Sequence, residues 1–133
     1  MIVINFKTYK QGDAAVELAK EIEKFDESAI LCLQASDIFM VTKELRNPVY
    51  AQHVSYLEIG RNTGFVLPEA VKSAGASGTL LNHSEHKIKF ENIKKTILRC
   101  RKHGLRVICC SSDLREVKKI IKLKPYAIAF EDP

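Results

Sequence analysis

No apolar run in this chain approaches the roughly 18–20 residues that a membrane span requires. The N-terminus passes straight into Ile2-Val3-Ile4 with no basic stretch or cleavage site ahead of it, so neither a spanning helix nor a secretory leader is expected. Cys-x-x-Cys and mixed Cys/His metal spacings are also missing. The four cysteines are Cys32, Cys100, Cys109 and Cys110, the last two adjacent, a pattern that fits reduced thiols in a cytoplasmic setting. No glycine-rich phosphate turn follows the first strand. The stretch there is Lys7-Thr8-Tyr9-Lys10-Gln11-Gly12, which argues against dinucleotide binding. Aromatic residues are not interleaved with the basic ones, so no base-stacking platform is visible. No metal and no cofactor are expected.

What is present is a 133-residue chain, 46% hydrophobic and 28% charged, long enough to bury a core as a single domain over 1–133. The formal net charge is +5. Much of the excess lies in Lys87-Ile88-Lys89, Lys94-Lys95, Arg99-Cys100-Arg101-Lys102 and Lys118-Lys119 with Lys122, on two expected helices whose apolar faces it leaves intact. Solvated outer helix faces are the leading reading of these charges, and a basic stripe for nucleic acid or another polyanion is the second.

Short apolar runs at 2–5, 29–33, 49–51, 79–81, 107–110 and 127–130 lack strict alternation, as strands covered on both faces do. Helical periods lie between them. Asp13 is the expected cap of a first helix with Ala15, Leu18, Ala19 and Ile22 on its apolar face. A second spans about 36–45 with Phe39, Met40 and Leu45 inward, ending at Asn47-Pro48. A third opens at Pro68 and closes at Gly75. A fourth presents Phe90, Ile93, Ile97 and Cys100 and ends at Gly104, and a fifth uses Leu114, Val117 and Ile121. Strict strand–helix alternation predicts a parallel sheet with right-handed crossovers. One connection, Gln52 to Leu67, is too long for a simple turn, and a loop of that kind is expected to be functional or docked on another subunit.

The chemistry-bearing residues collect at strand ends. Asn5-Phe6-Lys7 closes the first strand, Asn82-His83-Ser84-Glu85 the fourth, and Glu131 the sixth, ahead of Asp132 and Pro133. Amide, ammonium, imidazole and carboxylate thus share the end of the sheet where α/β folds keep their sites.

With Val49-Tyr50-Ala51-Gln52-His53, Asn62-Thr63-Gly64, Leu67-Pro68-Glu69-Ala70 and Gly78-Thr79-Leu80-Leu81, these segments resemble, in family order, triosephosphate isomerase of the compact archaeal type. The resemblance implies a partial (β/α)8 barrel of strands one to six and helices one to five, closed by a C-terminal segment or chain bearing strands seven and eight and the phosphate-binding loops. It implies a triose phosphate substrate and a soluble enzyme of glycolysis and gluconeogenesis. Glu131 resembles the catalytic base, His83 the electrophile and Lys7 the stabilising cation. Asn5 would position substrate with Lys7, and Glu85 would orient Lys7. Ser84 is the expected N-cap of the fourth helix, and the resemblance implies that the positive helix end keeps His83 neutral. Thr63 resembles a residue that reaches into a second copy of the chain, and Cys110 matches a structural cysteine. Asp132 stands where the family has proline, and Lys87 where it has arginine. The alternatives are an inactive remnant serving as an interaction module and a basic nucleic-acid-binding domain.

Overall fold

A computed structural model describes residues 1–131, so the expectations resting on Asp132 and Pro133 lie outside the described residues. The chain alternates six strands with five helices. These are β1 (Val3–Asn5), α1 (Asp13–Phe25), β2 (Ile30–Leu33), α2 (Ala35–Glu44), β3 (Val49–Ala51), α3 (Pro68–Ser73), β4 (Gly78–Leu81), α4 (Phe90–Lys102), β5 (Arg106–Ser111), α5 (Leu114–Ile120) and β6 (Ala127–Phe130), with a 3-10 turn at Ile121–Leu123. All strands are parallel and lie in chain order, β1 to β6, in one curled sheet that forms an incomplete barrel.

Strands β2 to β6 divide their residues between two cores. Leu31, Leu33, Val49, Ala51, Leu81, Val107 and Cys109 face the helices and join Ala15, Ala19, Ile38, Val41, Val71, Ile93, Ile97 and Ile120. Ile30, Cys32, Tyr50, Leu80 and Ile108 point into the barrel. The two-residue period of a strand therefore serves two buried faces, and this is why no polar alternation shows in the sequence. Gly78 is required by that inner packing. A Cβ there would stand 2.4 Å from the Tyr50 ring and 2.5 Å from the Arg106 carbonyl oxygen.

Three helix readings change. Gly12, at φ 57°, is the residue before the first turn of α1, and Asp13 stands inside that turn, where its charge suits the positive helix end. In α2 the inward residues are Ile38 and Val41, and Leu45 just past its end is buried as expected, while Phe39 and Met40 are exposed. The phase is set by Asp37, buried because its Oδ1 accepts the Gly12 N–H at 3.1 Å. In α5 the buried residue is Ile120; Leu114 and Ile121 are exposed, lacking cover among the described residues.

The long connection is anchored at its root and side. Ser55 N–H donates to the Val66 carbonyl at 2.8 Å, Val54 is fully buried, and Arg99 on α4 donates to the Leu57 carbonyl at 3.1 Å. No helix among the described residues is long and apolar enough to cross a membrane.

Candidate active site

The polar ends of β1, β4 and β6 meet at one end of the sheet. Beyond Asn5, the chain turns through Lys7 at φ 49°, a left-handed conformation that costs a lysine energy unless its surroundings hold it. Two side-chain amides do so. Asn5 Oδ1 accepts the Lys7 N–H at 2.9 Å, and Gln52 Nε2, from the end of β3, donates to the Lys7 carbonyl at 2.8 Å. The strained turn aims the ammonium across the sheet, where Lys7 Nζ donates to Glu85 Oε1 at 3.1 Å. This hydrogen bond and the Glu85 charge hold the Lys7 pKa above its ordinary value.

His83 follows β4 and is mostly buried, with 12% of its side chain exposed. Residues 84–86 form one turn, closed by His86 N–H donating to the His83 carbonyl at 2.8 Å. Ser84 is therefore not the cap of the fourth helix, because α4 begins only at Phe90, after Lys89 in extended conformation. Its hydroxyl donates instead to Glu131 Oε2 at 3.5 Å. Glu85 meets the imidazole at Nδ1 with two groups: its N–H donates to Nδ1 at 3.1 Å, and its carboxylate Oε2 stands 3.5 Å from the same nitrogen. An accepting Nδ1 leaves the neutral ring's proton on Nε2. That nitrogen stands 4.0 Å from Glu131 Oε1, beyond hydrogen-bond range but close enough for both groups to face neighbouring atoms of one small molecule. A cleft of about 500 Å³ opens on the His83 side, walled by Asn5, Lys7, Gln52, His53, His83 and Glu85 among others; Glu131 is not part of its wall.

Cys110 lies under this surface on β5. Burial, with the Glu131 charge nearby, pushes its thiol up to about 11, so it is an inert packed group at neutral pH. Thr63 stands apart, exposed on the long loop and outside the contacts that link Lys7, Glu85, His83 and Glu131. The expectations named neither Gln52 nor Asn82 as site residues. Asn82 is fully buried at φ 59° directly before His83. A polar amide at the end of an apolar strand is the sequence signal that both carry.

The basic residues are partly committed to the fold. Arg99 is bound by Glu69 through two 2.8 Å contacts, Arg101 by the Leu123 carbonyl at 2.9 Å, and Lys87 by Glu116 at 3.2 Å.

The family model for triosephosphate isomerase matches residues 1–127. Curated triosephosphate isomerases align along the whole chain: that of Sulfurisphaera tokodaii is 41% identical, that of Saccharolobus solfataricus 42% and that of Methanocaldococcus jannaschii 37%. The chain spans 61%, 61% and 64% of their respective lengths. A crystal structure of triosephosphate isomerase from Bartonella henselae superposes with a TM-score of 0.75 at 18% identity, over 92% of this chain and 56% of that one, a likeness of fold.

Proposed function

The chain belongs to the triosephosphate isomerase family, and on that premise we propose that it supplies the proton-transfer part of a site interconverting dihydroxyacetone phosphate and D-glyceraldehyde 3-phosphate. Glu131 takes the proton from the carbon beside the substrate carbonyl, leaving an enediolate, and returns it to the neighbouring carbon. His83 donates from Nε2 to the carbonyl oxygen and passes protons between the two oxygens. Lys7 offsets the negative charge of enediolate and phosphate, and Glu85 and Asn5 hold Lys7 in place. The observation that carries this reading is the 4.0 Å approach of His83 Nε2 to Glu131 Oε1, with Nδ1 already occupied by a backbone donor.

The curated relatives are longer than the matched stretch, so the phosphate-binding loops and the last two strands are assigned to further polypeptide, on the same chain or another. Phosphate binding there closes the site over the reaction. The loop around Thr63 is assigned to contact with a second copy of the chain. The setting is cytoplasmic, with the reaction serving glycolysis and gluconeogenesis.

In the completed assembly, Glu131→Gln keeps the shape and removes the base. We expect kcat to fall about 10²–10⁴-fold while KM changes little. Near-normal turnover in E131Q would remove Glu131 from the reaction and overturn the proposal.

A further inference from the structure

We propose that Glu116, on α5, is a positioning residue for His83, fixing from behind the loop that presents the imidazole to substrate. The inference rests on the isomerase reading above.

Asn82, the residue directly before His83, is the hinge in question. It is fully buried and holds φ 59°, a left-handed conformation that asparagine adopts more readily than most side chains and that its neighbours fix here. Three contacts of its side chain do so. Nδ2 donates to the Cys110 carbonyl at 3.0 Å and to Glu116 Oε1 at 3.2 Å, while Oδ1 accepts the Ile88 N–H at 3.1 Å. The last of these ties the loop's far end to its beginning.

Glu116 is the point on which the arrangement converges. Its Oε2 accepts from Ser111 Oγ at 2.6 Å and from Lys87 Nζ at 3.2 Å. One carboxylate thus holds the first residue of the loop, a residue near its last, and the end of β5. Burial pushes the Glu116 pKa up, but hydrogen bonds from Ser111 and Lys87, with the Lys87 charge, outweigh it and hold the value below the ordinary range. An ionised acceptor makes each of these bonds stronger than a neutral one. Glu116 lies outside the cleft lining and acts through its partners: Asn82 and Lys87 on the loop before and after His83, and Ser111, whose carbonyl accepts the Glu131 N–H at 3.1 Å. Without it, Asn82 loses one of its three anchors, and rotation of the backbone there swings His83 relative to Glu131. A misplacement of about 1 Å in a reacting group costs about 10²-fold in rate.

The test is Glu116→Leu in the intact assembly, read by triose phosphate isomerisation kinetics and by the ¹⁵N resonances of the His83 ring. We expect kcat to fall about 10–100-fold with KM within about twofold of wild type, and the Nδ1 resonance to shift as its acceptor geometry is lost. Glu116→Gln, which keeps an acceptor, should retain more of kcat. Asn82→Gly suits the backbone conformation but lacks the amide; it should reproduce the loss, and combining it with E116L should add little. If E116L does not fold, N82G decides the matter alone. Unchanged kcat and unchanged His83 resonances, a raised KM at constant kcat, or fully additive losses would overturn the assignment. If the wild-type assembly proves to have no isomerase activity, the functional reading falls. The His83 resonances in the two variants then decide by themselves whether Glu116 sets the imidazole.

Discussion

His53 carries a charge-dependent part of the stability. Its ring stacks on that of His86 with centroids 4.0 Å apart, and its buried Nδ1 has no hydrogen-bond partner. Burial, reinforced by His86, lowers its pKa from 6.5 to about 4. Between those values the unfolded chain accepts a proton that the folded one refuses. The stabilisation from a neutral His53 is therefore complete above 6.5 and is lost as pH falls toward 4. Urea midpoints across that interval should fall less steeply in His53→Gln than in wild type. Parallel slopes would show that the stack does not resist protonation. The segment Val49–His53 belongs to the family resemblance, but nothing in it shows that the His53 ring is buried, because that burial comes from two loops meeting. That Lys7, His83, Glu85 and Glu131 gather at one end of the sheet was legible because charged or imidazole groups end otherwise apolar strands; the roles proposed for them came from the family resemblance. Gln52 and Asn82 were not legible, since amides at strand ends are ordinary and their importance lies in the left-handed backbone at Lys7 and at Asn82 itself.

Arg99 links three elements through one guanidinium. Only 9% of its side chain is exposed; it binds both oxygens of Glu69 on α3 and the Leu57 carbonyl of the long loop, and it pairs with Glu58 at 3.2 Å. Removing one member of a buried ion pair costs about 3–5 kcal/mol, and the partial exposure of Glu69 places this one at the low end, about 3 kcal/mol. Arg99→Leu should lower the urea midpoint accordingly and speed amide exchange at Ser55, whose N–H closes the loop's root. Unaltered exchange there would mean that the loop stands by its own backbone contacts. The position of Arg99 was visible in the sequence only as one charge in a basic run, and the run itself suggested a solvated face. The strands were legible to within about a residue because buried parallel strands leave compact apolar runs. Helix faces were less so: α2 is turned by the Asp37–Gly12 hydrogen bond, a contact across 25 residues that no local period encodes.

Sequential strand order in an open, curled sheet leaves two free edges among the described residues, one on β1 and one on β6. The burial pattern follows the seam. β2 to β4 are buried throughout, whereas β6 is only partly covered, and Ile2, Phe130 and Tyr126 are each about half exposed. Alternation in the sequence pointed to a parallel sheet, but its closure was not readable from any local pattern; it came from the family resemblance, and the curled sheet agrees with it. An unpaired backbone group forgoes about 0.5–1.5 kcal/mol of net hydrogen bonding, and apolar strand edges invite pairing with other chains. Residues 1–133 expressed alone should therefore self-associate and show no measurable isomerase activity. Adding a polypeptide that carries the remaining strands should produce a compact species by sedimentation, with activity appearing in proportion to it. That coupling is the decisive feature, because the same strands that cover the edges would bring the phosphate site. Compaction without activity would leave the seam argument standing and place the fault in the proposed catalytic groups. A monomeric, fully active preparation of these 133 residues would overturn both the weight given to the free edges and the proposal that phosphate binding comes from further polypeptide.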